Sequence, residues 1–178
     1  VQKAKAAYLQ QVLNAYGVTG KVMVNTEVAL LCDSCTNDAN FEATKAYYLA
    51  QTYASAMSLG LKAEVWYNAL GWRNSGLLNG NLTPKPAFHA FAFGRQMLGN
   101  ATYTRDLTTL ELGHTSLRGF ELMHNGKRLW LLWKVDAGSL QVQLPAIPEK
   151  VWDVYGNELV VPTQTLTIDM APQYIMLP

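Results

Sequence analysis

Charge is scarce in this chain. Charged side chains make up 15 % of its 178 residues, against about 25 % in an average soluble domain. Fourteen basic and thirteen acidic residues leave a net charge of +1, too small to steer a nucleic acid onto the surface. Hydrophobic residues, at 49 %, are too many for a disordered chain. No apolar run approaches the roughly 20 residues of a membrane-spanning helix. Neither nucleic acid nor membrane is therefore an expected partner. A chain of this length can bury about 70 % of its unfolded surface, so it needs no staples to fold. The low charge points to surface that expects to be covered. The sequence opens on Val1-Gln2-Lys3, without Met or signal peptide, which suggests a piece of a longer protein.

Cysteine is scarcer still. The two present, Cys32 and Cys35, form a C-x-x-C pair in a polar loop reaching to Asn40. A zinc site wants two more ligands, and His89, His114 and His124 lie far off without finger spacing. A redox pair would open a helix directly after a strand. The expectation is a local disulfide, or two free thiols, pinning the loop. A disulfide would favour an extracytoplasmic location. Nothing in the sequence asks for a metal or a cofactor.

The elements change character near Gly99. Before it, Ala4 to Tyr16 reads as a helix with Tyr8, Leu9, Val12, Leu13 and Tyr16 in one stripe, stopped by Gly17. Lys21 to Thr26 reads as a strand, with Glu27 at its end. A helix follows from about Phe41 to Leu59, capped by Asp38 or Asn40 and ended by Gly60. Leu61 to Tyr67 is a second strand. Pro84-Lys85-Pro86 opens a last helix from about Ala87 to Leu98. The order is α-β-α-β-α, and the loops are longer after the strands than after the helices. That is the habit of (βα) barrels, whose function sits on loops at the strand C-termini.

After Gly99 the strands are short: 119–124, 128–135, 140–144, 151–154, 158–161, 165–168 and 174–177. Asn125-Gly126 is a strong hairpin signal, and Tyr155-Gly156-Asn157 marks another turn. Strands at this spacing argue an antiparallel β-sandwich. On Arg128–Val135, Leu129, Leu131 and Trp133 share one face and Trp130 and Leu132 the other, so both faces expect cover. Trp130, Trp133 and Trp152 could line a sugar platform, but such residues more often fill a sandwich core. The fold class expected is α/β plus all-β, with one domain over 1–99 and an antiparallel sandwich over 100–178.

Acids are rare in the first half. Only Glu27, Asp33, Asp38, Glu42 and Glu64 precede residue 100. Asp38 and Glu42 suit a helix start. Glu64, sharing parity with Lys62 and Trp66, suits an interior ion pair. Glu27 ends an apolar strand, where a charge needs a partner or a task. By alternation it shares a face with Asn25 and points into a barrel, while Val22, Val24 and Thr26 pack on helices. Trp66, Tyr67, Trp72, Arg73 and Asn74 follow at the second strand's end and loop. Flat rings among polar groups suit sugars, which offer apolar C–H faces and hydroxyl edges.

Val22-Met23-Val24-Asn25-Thr26-Glu27 resembles the seventh strand and nucleophile of the large clan of retaining (βα)₈ glycoside hydrolases. Trp66 resembles that clan's eighth-strand tryptophan. Trp72 to Leu78, then Pro84-Lys85-Pro86-Ala87, resembles its eighth loop and helix start. Val151 to Asn157 and Pro172 to Ile175 are similar to C-terminal β-sandwich domains found there. The resemblance implies the last two strands and last three helices of a barrel, a carbohydrate substrate, Glu27 as nucleophile, and Trp66, Trp72, Arg73, Asn74 and Asn25 near the sugar. The clan's acid/base glutamate ends the fourth strand, which this chain lacks, since a whole barrel takes about 250 residues. The chain alone is therefore expected to be inactive, with the missing barrel segment or a second copy as its partner. The alternative is a non-catalytic carbohydrate-binding or scaffold protein with a degenerate barrel.

Overall fold

The computed structural model describes residues 2–161 and 163–178. The chain is a mixed helix and sheet protein. Its first part runs α1 (Gln2–Ala15), β1 (Val24–Val28), α2 (Ala39–Ser58), β2 (Ala63–Trp66) and α3 (Pro86–Leu98). Its second part runs β3 (Ala101–Asp106), the one-turn α4 (Thr109–Leu112), β4 (Leu117–His124), β5 (Lys127–Lys134), β6 (Leu140–Gln143), β7 (Lys150–Trp152), β8 (Glu158–Leu159), β9 (Thr165–Ile168) and β10 (Gln173–Leu177). None of the described helices is long and apolar enough to cross a membrane.

Local chemistry sets the boundaries. Asp38 caps α2, its carboxylate accepting from the Asn40 N–H at 2.8 Å and the Phe41 N–H at 3.2 Å. Gly60 closes the same helix at φ +65°. Its N–H donates to Met57 O and that of Leu61 to Ala56 O, both at 3.0 Å, which satisfies carbonyls the helix leaves unpaired. Pro86 stands at the first position of α3, where no N–H is needed. β1 starts later than the expected Lys21. Its pairing begins at Met23, whose carbonyl accepts from the Lys62 N–H at 2.8 Å.

β1 and β2 form a two-stranded parallel sheet. The second part holds an antiparallel sheet of six strands, ordered β3-β4-β5-β10-β7-β8, and an antiparallel pair, β6-β9. Asn125 and Gly126 turn β4 into β5 with φ of 50° and 79°, the left-handed values a tight hairpin asks for. β3 and α4 were not expected. β3 reads Ala-Thr-Tyr-Thr-Arg-Asp with alternate residues half-buried, so an edge strand with little apolar content resembles a loop in sequence. α4 rests on a capping box between Thr108 and Glu111.

Both faces of β5 are covered, as its two apolar sets foretell. Leu129, Leu131 and Trp133 join Phe120, Leu122, Tyr174 and Met176 against α2 and α3, meeting Ala46, Leu49, Ala50, Ala54, Ala90 and Met97. Trp130 and Leu132 join Ile175 and Leu177 against β6 and β9, meeting Val142, Leu166 and Ile168. Trp130 and Trp133 are buried and so form no sugar platform. Gly156, in the turn after β7, lies so close to the Phe93 ring that a Cβ there would come within 2.7 Å of it. α1 departs from expectation. Of its residues only Ala6 is buried, and Tyr8, Leu9 and the following Tyr16 are exposed. The apolar stripe exists but nothing in the described residues covers it.

Candidate functional site

The site expected from sequence lies where β1 and β2 end. In the parallel ladder Asn25 stands opposite Glu64, and Val28 opposite Trp66. Three steps along β1 thus match two along β2, so an extra residue bulges out between Asn25 and Val28. A bulge resets the alternation of faces beyond it. The expected shared face of Asn25 and Glu27 does not hold.

The consequences are specific. Asn25 faces Glu64 across the ladder. The Glu64 carboxylate accepts from the Gln2 amide at 2.8 and 2.9 Å and from the Thr52 hydroxyl at 3.1 Å. Glu64 therefore belongs to a network reaching α1 and α2, on the helix side of the sheet. Burial pushes the Glu64 carboxyl above its usual range, and its hydrogen bonds oppose that rise. The expected ion pair is corrected: neutral donors hold Glu64. The expected packing of Val22 and Val24 on helices is reversed as well. Val24 is 47 % exposed and Val65, on β2, 49 %. Their side of the sheet is bare.

Trp66 is buried in the helix-facing cluster. Its indole N–H donates to Ser75 O at 3.0 Å, and its ring meets Tyr48 edge-on with centroids 6.3 Å apart. In this chain the ring packs into the core. The next residue, Tyr67, is 37 % exposed, and its N–H donates to Val28 O at 2.8 Å. The aromatic ring open at the strand end is Tyr67. Glu27, one residue before Val28, is exposed, and its carboxylate forms no hydrogen bond or ion pair among the described residues.

The other four acids of the first part are engaged. Asp38 caps α2 and Glu64 holds its network. Asp33 pairs with Arg73 at 2.6 and 2.7 Å, and that guanidinium, above all by hydrogen bonding, holds its carboxyl below the usual range. Glu42 pairs with Lys45 at 2.8 Å and Lys85 at 3.4 Å.

Lys45 is a functional support the sequence did not announce. It is fully buried, and its ammonium donates to Asn74 O at 2.9 Å and Gly76 O at 2.8 Å as well as to Glu42. Burial lowers its pKa, and Glu42 counters. A lysine in the middle of a helix reads as a solvated face, and only the loop folded over it reveals the role. Cys32 and Cys35 are joined in a disulfide, with Cα atoms 5.5 Å apart. Trp72 is 55 % exposed and lies under the Arg73 guanidinium, 5.1 Å from ring centroid to Cζ. Asn74 donates its side-chain amide to Cys32 O at 2.7 Å. The loop after β1 and the loop after β2 are thereby joined. No group of three or more metal-ligating side chains occurs among the described residues.

No protein-family model and no curated protein matches the sequence. Solved structures do share the fold. A family 39 glycoside hydrolase from the gut symbiont Bacteroides cellulosilyticus WH2 matches 97 % of this chain with a TM-score of 0.75 at 21 % identity. A GH30 endoxylanase from Clostridium papyrosolvens C71 matches 88 % with a TM-score of 0.58 at 12 % identity. A family 30 subfamily 8 xylanase from Clostridium acetobutylicum matches 88 % with a TM-score of 0.61 at 13 % identity. The chain spans 38 % of the first of these and 42 % of the other two. At such identities the likeness is one of fold, here the fold of part of a glycoside hydrolase.

Proposed function

We propose that this chain is the C-terminal portion of a retaining (βα)₈ glycoside hydrolase. β1 and β2 serve as the last two barrel strands, α1, α2 and α3 as the last three helices, and residues 100–178 as an accessory β-sandwich domain. The observation that carries this reading is Glu27. It is the one acid before residue 100 whose carboxylate has no hydrogen bond or ion pair among the described residues, and it stands at the bulged end of a parallel strand. Carboxylates at that end of a barrel strand do chemistry.

In this reading Glu27 attacks the anomeric carbon of a bound glycoside. A covalent glycosyl ester forms as the glycosidic C–O bond breaks. A second carboxylic acid, about 5–5.5 Å away, gives its proton to the departing oxygen; as a carboxylate it then takes one from the water that frees Glu27. In the clan this chain resembles, that acid/base ends the fourth barrel strand, so in this reading it comes from outside this chain. So do six of the eight strands. The free edges of β1 and β2, the bare stripe of α1 and the exposed Val24 and Val65 all suit cover by that missing part. The chain by itself is inactive.

The longer protein that carries the complementary strands is the material for the test. It is treated with a panel of 2,4-dinitrophenyl 2-deoxy-2-fluoro-β-glycosides and digested for mass spectrometry. A glycosyl label on Glu27 is expected, and Glu27→Gln should lower turnover roughly 10⁴-fold, the scale of removing a nucleophile. Label on another residue, or rapid hydrolysis of an unactivated glycoside by the 178-residue chain alone, overturns the reading.

A further inference from the structure

Arg73 and Asn74 carry polar groups that a sugar could use, yet the structure spends them inside the protein. The Arg73 guanidinium gives a two-pronged hydrogen bond to Asp33, at 2.6 and 2.7 Å, and its face lies over Trp72. Its carbonyl accepts from the Cys32 N–H at 2.9 Å. Asn74 donates its side-chain amide to the Cys32 carbonyl, and its own carbonyl accepts from the Lys45 ammonium. Both residues sit at left-handed φ, 51° and 62°. Two consecutive side-chain-bearing residues adopt that conformation only when something outside the loop holds them. Five contacts hold them here: three reach the Cys32–Asp33 segment, one reaches Lys45 and one reaches Trp72.

The result of this ordering is an exposed indole. Of the five tryptophans, Trp66, Trp130 and Trp133 are buried and Trp152 is half-buried, whereas Trp72 is open to solvent. Its loop is not loose. It is clamped from below by Lys45 and from the side by the Cys32–Cys35 ring, which fixes Asp33 and both backbone groups of Cys32 in one short segment. Ordering a side chain costs conformational entropy, and a ring kept flat and open at that cost is preorganised for something flat.

We propose that Asp33, carried on the Cys32–Cys35 ring, together with Arg73 and Asn74, forms a positioning latch that holds Trp72 open for stacking on a sugar ring, a role that rests on the glycosidase reading above. Trp72 touches the substrate. Asp33, Arg73 and Asn74 act through it and do not meet the sugar.

Two measurements separate the latch from its purpose. On the 178-residue chain, amide exchange across residues 70–76 and acrylamide quenching of the Trp72 fluorescence, taken as the difference from Trp72→Phe, report the latch itself. Asp33→Asn and the Cys32→Ser/Cys35→Ser double variant should each speed exchange in that loop at least about tenfold and leave β4 and β5 unchanged. Unchanged exchange in the loop overturns the latch.

On the longer protein, Asp33→Asn and Trp72→Ala should each raise KM for the aryl glycoside it hydrolyses best by about tenfold, with kcat within about twofold. The combined variant should lose no more than Trp72→Ala, since the two share one interaction. The charge-swapped pair Asp33→Arg/Arg73→Asp should recover part of the loss. Additive losses would make Asp33 and Arg73 sugar contacts in their own right and overturn the assignment. A KM untouched by Trp72→Ala removes the stacking role. Failure of the whole glycoside panel to label or turn over removes the glycosidase reading and the sugar role with it, while the exchange data still decide the latch.

Discussion

The six-stranded sheet and the two-stranded sheet treat the same kind of residue in opposite ways. On β5, Leu129, Leu131 and Leu132 are wholly buried, because helices cover one face and the β6-β9 pair the other. On β1 and β2, Val24 and Val65 are about half exposed, and only the face carrying Val28 and Trp66 is covered. Connectivity accounts for the contrast. An antiparallel strand can obtain a neighbour through a two-residue turn such as Asn125-Gly126, and β5 finds its other neighbour, β10, within this chain. A parallel strand needs a crossover, and its next neighbours come from distant sequence. A parallel pair with two free edges and one bare face is therefore the part that depends most on other chain, in keeping with the proposed barrel origin.

The largest expected effects lie in the covered sheet. Leu131→Ala and Leu132→Ala should each lower stability by about 2–5 kcal/mol, the range for cavities in a packed core, in urea unfolding of this chain. Near-equal losses would mean that the helix-facing side is packed as tightly as the side facing β6 and β9. A loss under about 1 kcal/mol for Leu131→Ala alone would instead mark the helices as loosely docked.

A smaller effect concerns acid. Hydrogen bonds from Arg105, then those from Thr108, hold the Glu111 carboxyl down at about 2, against 4.5 for the free group. A folded-state value below the unfolded one adds stability that is complete above the unfolded value and drains away as pH falls through the folded value. Thermal melts between pH 5 and about 2 should therefore show a decline that Glu111→Gln lessens. An identical decline in the variant would assign the acid sensitivity to other carboxylates.

The smallest effect sharpens the contrast most. Val24→Thr and Val65→Thr should change the stability of this chain by less than about 0.5 kcal/mol, as exposed substitutions do. In the longer protein the same changes should cost about 1–2 kcal/mol each if these side chains enter a barrel interior. Equal small effects in both would leave that face without cover and weaken the barrel reading.

Much of the fold was legible in the residues. Asp38 and Gly60 bounded α2, Pro86 opened α3, and the alternation along 128–135 told that β5 would be buried twice over. Glu27 stood out because a charge closing an apolar strand is expensive. What could not be read has several causes. One extra residue between Asn25 and Val28 flips the later side chains of β1, and no residue type in Asn25-Thr26-Glu27 signals it. That step parted Glu27 from the face of Asn25; the side that Glu64 and Trp66 take on β2 was set instead by where the helices pack. β3 escaped because an edge strand needs few apolar residues. The Asp33–Arg73 pair escaped because its members lie 40 residues apart.

Local residue patterns were enough for most of the elements and their order, for the hairpin at Asn125-Gly126 and for the acid at a strand end. Those follow from short-range rules: periodicity, capping and the φ that each residue tolerates. Long-range packing set which face β1 and β2 show, which acids are engaged, and how Lys45 and the Cys32–Cys35 segment meet the loop bearing Trp72. Those depend on register and on contacts between segments far apart in the chain, where a shift of one residue reverses the outcome while leaving every local preference satisfied.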